Sequence, residues 1–205
     1  MRTLLTLVFA LAIGLGAARA QETEAPAPEA PVVAEMAMGA EDAPVTVIEY
    51  ASFTCPHCGA FHQSVFPEIK ANYIDTGKVR LIYREVYFDR FGLWAGMTAR
   101  CGGPERYFGI VSLLYEKQAE WIGDGDPATI SANLRTIAKT AGLTDGQIDA
   151  CMNDAAMAEA LVADFQKNME ADQVEGTPTF IIDGEKYSNM PYDEFAQVLD
   201  EKLGG

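Results

Sequence analysis

Cys55 and Cys58 lie three positions apart and enclose Pro56 and His57. A C-x-x-C pair has three chemical uses: half of a zinc site, a structural bridge, or a dithiol that exchanges with other disulfides. Zinc takes four ligands. The remaining candidates do not supply a second half, because Cys101 and Cys151 are far apart, His57 sits between the paired cysteines and His62 follows Cys58 by one helical turn. Exchange chemistry suits the placement, since Cys55 follows a strand-like run and leads a helix, where free N–H groups and the positive dipole end stabilise a thiolate. The thiolate is the attacking and leaving species, so a lowered pKa serves the reaction. Pro56 fits the first helical turn, where its missing N–H has no intrahelical partner. His57 adds a donor or partial positive charge, and Cys58 is placed to close the ring and resolve a mixed disulfide.

The elements that must hold this tetrapeptide are legible on either side of it. Val45-Thr46-Val47-Ile48-Glu49-Tyr50 is a β-branched run of strand length. Beyond the cysteines Phe61, Val65, Ile69 and Tyr73 recur at steps of four, which predicts a helix, kinked at Pro67. Thr76-Gly77 stops it, and a second strand is expected over 79–86. From Leu93 to Gln173 the pattern is helical. One helix opens at Asp126-Pro127 with Ile130, Leu134 and Ile137 on one face. Another opens at Thr144, with the capping-box spacing to Gln147, and gathers Ile148, Cys151 and Met152. A third carries Met157, Leu161 and Phe165. Such faces need a common core, so these helices form a compact insert, about 91–172. Strand signals return at Thr179–Ile182 and Glu185–Tyr187, joined by the hairpin dipeptide Asp183-Gly184, and a last helix presents Phe195, Val198, Leu199 and Leu203. The order is β-α-β, helical insert, β-β-α in one α/β domain over 41–205. Trp94 and Trp121 are expected in the core, and His62 on a solvated helix face.

The 205 residues begin with one positive charge, an apolar run and the small residues Ala17-Ala18-Arg19-Ala20. This predicts a secretory signal peptide over 1–20. The run falls short of the ~20 residues that span a bilayer, so no membrane insertion of the mature chain is expected. Cleavage removes Arg2 and Arg19 and no acid, leaving 13 basic against 30 acidic side chains, a net charge of −17. That surface repels nucleic acid and anionic lipid, and acidity is also an ordinary device for solubility. Residues 21–40, rich in Ala, Pro and Glu, read as a flexible leader. Outside the cytosol disulfides persist, so all four cysteines are candidates for bridges. The bacterial style of the signal points to the periplasm.

With these residues in view, the sequence from about Asp42 to Leu203 resembles the thioredoxin-fold disulfide oxidoreductases of the DsbA type. The resemblance rests on Glu49-Tyr50-Ala51-Ser52-Phe53-Thr54-Cys55-Pro56-His57-Cys58 and on Gly176-Thr177-Pro178-Thr179-Phe180. It implies a thioredoxin fold with an all-helical insert between the second and third main strands. It further implies Cys55 as nucleophile, Cys58 as buried partner and His57 as thiolate stabiliser. Thr177 and a cis Pro178 become the substrate-contacting loop, and Glu49 a buried acid assisting proton transfer near Cys58. On the residues alone, Glu49 reads equally well as an edge-strand carboxylate facing solvent. Thr177 departs from the Val found in many DsbA proteins and is also seen in isomerase-type relatives. Cys101 and Cys151 would both face the insert, and related proteins carry a second bridge there. Closing the 49 intervening residues would contribute about 4 kcal/mol in the chain-entropy model. An electron relay through them is disfavoured, because nothing nearby supplies charge to lower a thiol pKa.

The expected activity is donation of the Cys55–Cys58 disulfide to reduced secreted polypeptides by a monomer that needs no cofactor beyond that disulfide. A DsbB-type membrane quinone reductase is the implied reoxidant. The alternatives are an isomerase or reductase of the same fold and a peptide-binding chaperone. Isomerases of this fold dimerise through an N-terminal domain that residues 21–40 are too few and too polar to form, and the intact Cys pair argues against a chaperone.

Overall fold

The computed structural model describes residues 31–205, so the expected signal peptide and the first half of the leader lie outside the described residues. Strands β2 (Val45–Ala51) and β3 (Val79–Glu85) pair in parallel, with Glu49 opposite Tyr83. Parallel neighbours require a crossover. Here it is helical: α1 (Pro56–Ser64) and α2 (Phe66–Ile69), continued by a wider π-type turn over Lys70–Ile74. The expected kink at Pro67 takes a different form. The helix breaks at Val65, and Pro67 falls in the first turn of α2, where its missing N–H removes no helical hydrogen bond.

β4 (Thr179–Ile182) pairs antiparallel with the other edge of β2, and β5 (Glu185–Ser188) completes the hairpin. Asp183 and Gly184 both take positive φ, as a tight two-residue hairpin demands. With a short edge strand β1 (Met36–Met38), the sheet order becomes β1-β3-β2-β4-β5, and β2 is central. Its alternating Val45, Val47, Glu49 and Ala51 share one face. Val45 and Val47 pack there against Phe61, Phe66 and Ile69, and against Phe195 and Leu199 of α9 (Tyr192–Lys202). On the opposite face Tyr50 meets the α8 (Ala155–Ala171) residues Phe165 and Met169.

β1 (Met36–Met38) corrects the reading of 21–40 as a free leader. It pairs antiparallel with the outer edge of β3, buries Met36, and is tied down by Arg100 Nη1, which donates to the Ala34 carbonyl at 2.9 Å. Met-Ala-Met has no β-branched signature. The open edge of β3 makes this strand, not local propensity.

The insert consists of α3 (Arg90–Arg100), α4 (Pro104–Glu116), α5 (Gln118–Ile122), α6 (Pro127–Thr140), α7 (Asp145–Met152) and α8. Asp126 and Thr144 cap α6 and α7, and Gln147 completes a capping box. Tyr107, Leu114, Trp121, Ile130 and Leu134 are fully enclosed in a core that also contains Cys58. Trp94, by contrast, is only half-buried, with the Arg90 guanidinium 5.8 Å from its ring. At the far end of α3, Arg100 forms a two-pronged ion pair with buried Glu85 at 2.7 Å, to which Tyr107 also donates. Next to it Cys101 is bonded to Cys151 of α7, fastening α3 to α7 across a sequence separation of 50. Replacing both cysteines by alanine is expected to lower unfolding stability by about 4 kcal/mol, read from denaturant curves in which midpoint and slope are both fitted, since the unfolded chain expands when the bridge is lost.

Candidate active site

The chain leaves the centre of the sheet at Ala51 and turns into α1 at Cys55, whose backbone is extended, with Pro56 directly after it. Ser52 to Cys55 close a tight turn through the Cys55 N–H and the Ser52 carbonyl, 3.1 Å. Two residues of the insert hold that turn. The Thr54 hydroxyl donates to Asp89 at 2.7 Å, and Asp89 also accepts the first backbone N–H groups of α3. Buried Gln118 donates its amide to the carbonyls of Phe53 and Cys55 at 2.8 and 2.9 Å. Gly59 answers Gln118 from inside α1, since a Cβ there would overlap its side-chain amide. Neither Gln118 nor Asp89 has a motif or spacing that betrays this role in the sequence.

Both Cys55 and Cys58 are free thiols, the first partly exposed and the second fully buried. That difference in setting separates their acidities. The Cys58 thiol is the main stabiliser of the Cys55 thiolate. Added to it are the Thr177 side chain and the backbone N–H groups of Cys58 and His57; together they outweigh burial and bring the Cys55 pKa down to about 5. Cys58 moves the other way. Its thiol is spent on Cys55 and enclosed by the core, so its pKa is pushed far above the ordinary thiol range. Pro56 and His57 are exposed. The contribution of His57 to the thiolate is its backbone N–H.

Pro178 follows a cis peptide bond from Thr177 and is buried where β4 begins. The Thr177 carbonyl lies 3.5 Å from Cys55 Sγ, so residues 122 positions apart meet at one point. The Thr177 hydroxyl is buried and has no hydrogen-bond partner while both cysteines are thiols. A polar groove of about 670 Å³ runs beside this loop between Gln173, Glu175, Lys186 and Ser188.

Glu49 is fully buried, because β2 is a central strand and not an edge. His62 corrects the expectation of a solvated residue. Its side chain is 4% exposed and its Nε2 lies 2.8 Å from Glu49 Oε1. The imidazole stacks on Tyr115 with ring centres 4.1 Å apart. The available signal was its spacing, since His62 lies four residues from Cys58 on the buried side of α1.

Comparison with known proteins agrees with this geometry. The sequence profile of the thioredoxin family matches residues 32–201. The crystal structure of alpha-DsbA1 from Wolbachia pipientis superposes with a TM-score of 0.77 at 30% identity, covering 85% of this chain and 93% of that one. The chain is a DsbA-like member of the thioredoxin family. It is also 26% identical to disulfide bond formation protein D of Bacillus subtilis, over 82% of this chain and 77% of that protein. A Rickettsia bellii protein named as a protein-disulfide oxidoreductase is 29% identical over 170 residues, or 82% of this chain. The chain spans 64% of that relative's length. In this DsbA-like chain, alkylation of reduced Cys55 by iodoacetamide is expected to reach half its plateau near pH 5. Cys58→Ala removes the main donor to the thiolate and should move that midpoint upward.

Proposed function

We propose that the protein is a thiol–disulfide oxidase of the bacterial envelope that donates a Cys55–Cys58 disulfide to reduced secreted polypeptides. The observation that carries this reading is the opposite displacement of the two thiols, Cys55 made acidic at the surface and Cys58 kept protonated in the core. A substrate thiolate attacks Cys55 Sγ, the Cys55–Cys58 bond breaks, and Cys58 leaves with the electron pair and takes a proton. A second substrate thiolate then attacks the substrate sulfur of the mixed disulfide. A substrate disulfide forms, and Cys55 departs as thiolate. The Thr177–Pro178 loop, beside Cys55, is the surface on which the substrate segment would lie. Export rests on the character of residues 1–20, and among the described residues no helix is long and apolar enough to cross a membrane. A membrane quinone reductase of the DsbB type would restore the disulfide, and the protein would act as a monomer.

Stabilising the reduced form makes the disulfide a stronger oxidant. The pH dependence follows from the lowered Cys55 pKa. Native reduced protein gives up this proton near pH 5, whereas the unfolded thiol keeps it to about 8.5. This stabilisation of the reduced form is therefore lost as pH falls through 5 and grows from there toward 8.5. At pH 7 the reduced protein is expected to unfold at higher denaturant than the oxidised protein, with the gap closing toward pH 5. Its potential against glutathione should lie well above the about −270 mV of thioredoxin. A potential as reducing as that, or an oxidised form that is the more stable at pH 7, would overturn the oxidase direction.

A further inference from the structure

The polar groove of about 670 Å³ opens beside Thr177, and the residues that line it differ in what they already bind. Two of them are charged, Glu175 and Lys186. Lys186 stands opposite Ile181 in the β4–β5 hairpin, and its Nζ donates to the Gln173 carbonyl at 2.5 Å. Gln173 takes a left-handed φ of 51° just past the end of α8, four residues before Thr177. The ammonium is therefore occupied in tying the outer end of this loop to β5. Glu175 lies between that tie and the active site. It precedes Thr177 by two residues, a step of at most about 7 Å. It is exposed, and among the described residues no side chain pairs with it. Neighbouring carboxylates are committed: Glu185 is held by Lys202 at 2.8 Å and by the Tyr187 hydroxyl, and Asp89 by Thr54 and the start of α3.

We propose that Glu175 selects among substrates, favouring polypeptides that carry a lysine or arginine two or three residues from the reacting cysteine. The inference rests on the exchange reading above. With the substrate sulfur at Cys55 Sγ, itself 3.5 Å from the Thr177 carbonyl, the substrate chain runs along the Thr177 loop. An extended chain advances about 3.3 Å per residue, so the side chain two or three positions away passes the Glu175 carboxylate. The groove suits a long cationic side chain. Tyr187 offers it an aromatic ring, against which an alkyl stem or guanidinium packs, while Glu175 meets the charged end. A substrate carboxylate at the same place meets a like charge with no cation to offset it, because Lys186 is held at the far end on Gln173. The chain as a whole acts in the same sense. Its 30 acidic against 15 basic side chains, a net charge of −15, draw cationic segments in from a distance. Glu175 turns that general attraction into a choice made at a fixed distance from the substrate cysteine.

The test uses the oxidised protein and peptides that each carry one cysteine and, two residues before or after it, Lys, Gln or Glu. The peptide thiolate bonds to Cys55 Sγ, the Cys55–Cys58 bond breaks, and Cys58 leaves with the electron pair and takes a proton from water. Acid quenching and mass spectrometry give the rate at which the oxidised protein disappears. On the flank that passes the groove, the wild type is expected to react about threefold faster with the Lys peptide than with the Gln peptide, and about tenfold faster with Lys than with Glu. A neighbouring charge also alters the peptide's own thiol. That effect is the same for every protein and cancels when the Lys-to-Glu ratio of a variant is divided by that of the wild type. Glu175→Gln should lower the ratio by about threefold, and Glu175→Lys should lower it further. Salt at about 1 M, where charges are screened beyond about 3 Å, should lower the wild-type ratio as well. Equal Lys-to-Glu ratios in the wild type and Glu175→Gln, on both flanks, overturn the proposal and leave any preference to the overall acidity of the chain. A wild type that loses its disulfide to none of the peptides removes the exchange reading itself, and the selection with it.

Discussion

Cys55 and Cys58 are separated by one turn of helix, and over that distance the surroundings change from partly exposed to fully enclosed. Such a step is possible only at a helix N-terminus. There the first residue still faces outward from a loop, the residue one turn later already lies on the packed face, and unpaired N–H groups converge on the outer sulfur. The first turn of α1 contains no acidic side chain to offset that field. The cis Thr177–Pro178 loop then closes the site from the far end of the sequence, at the start of β4. Sheet order makes this contact, since β4 is the neighbour of the strand that feeds Cys55.

The helical insert is the counterpart of this constraint. A loop that carries an exposed nucleophile has few contacts of its own, so its carbonyls and hydroxyls are held from outside: Gln118 on one side, Asp89 on the other. The fastening continues along α3. Asp89 begins it beside the active-site turn, Arg100 ends it on buried Glu85, and Cys101 binds it to α7. Glu85 in the core tolerates its charge because two nitrogens of one guanidinium and a phenol satisfy it. Glu49, in a similarly enclosed position, is satisfied at one oxygen only. The scaffold can complete a buried carboxylate and does so at Glu85; it leaves Glu49 incomplete.

The sequence showed those features that local chemistry dictates. Strand runs, capping residues, the Asp183-Gly184 turn and the strand-to-helix placement of Cys55 are properties of neighbouring residues, and the fold retains each of them. Features created by distant parts meeting were hidden. Met36–Met38 becomes a strand because β3 has an open edge, and Gln118 becomes a buried brace because α5 returns to the Phe53–Cys55 turn. His62 lay in between. Its four-residue spacing from Cys58 favours the core and its polarity favours solvent, and only the burial of Glu49 on a central strand supplies the partner that resolves the conflict. Glu49 itself was undecided until the order of strands was known, because edge and centre share the same alternation.

The acidity difference also bears on how the mixed disulfide partitions. Two sulfurs compete to attack it in the proposed reaction. Cys58 would expel an ordinary substrate thiolate, with a pKa of about 8.5, while the second substrate thiol expels Cys55, with a pKa of about 5. The more acidic thiol leaves faster. Cys58, held as a thiol, is at the same time a poor nucleophile until its proton is taken. Both effects favour release of an oxidised substrate over return of the reduced one. A Cys58 exposed to water would lose its proton more readily, and with it the brake on the reverse step. The burial of Cys58 therefore contributes to direction as much as the acidity of Cys55 does, and any group that gates the Cys58 proton sets how strongly that brake holds.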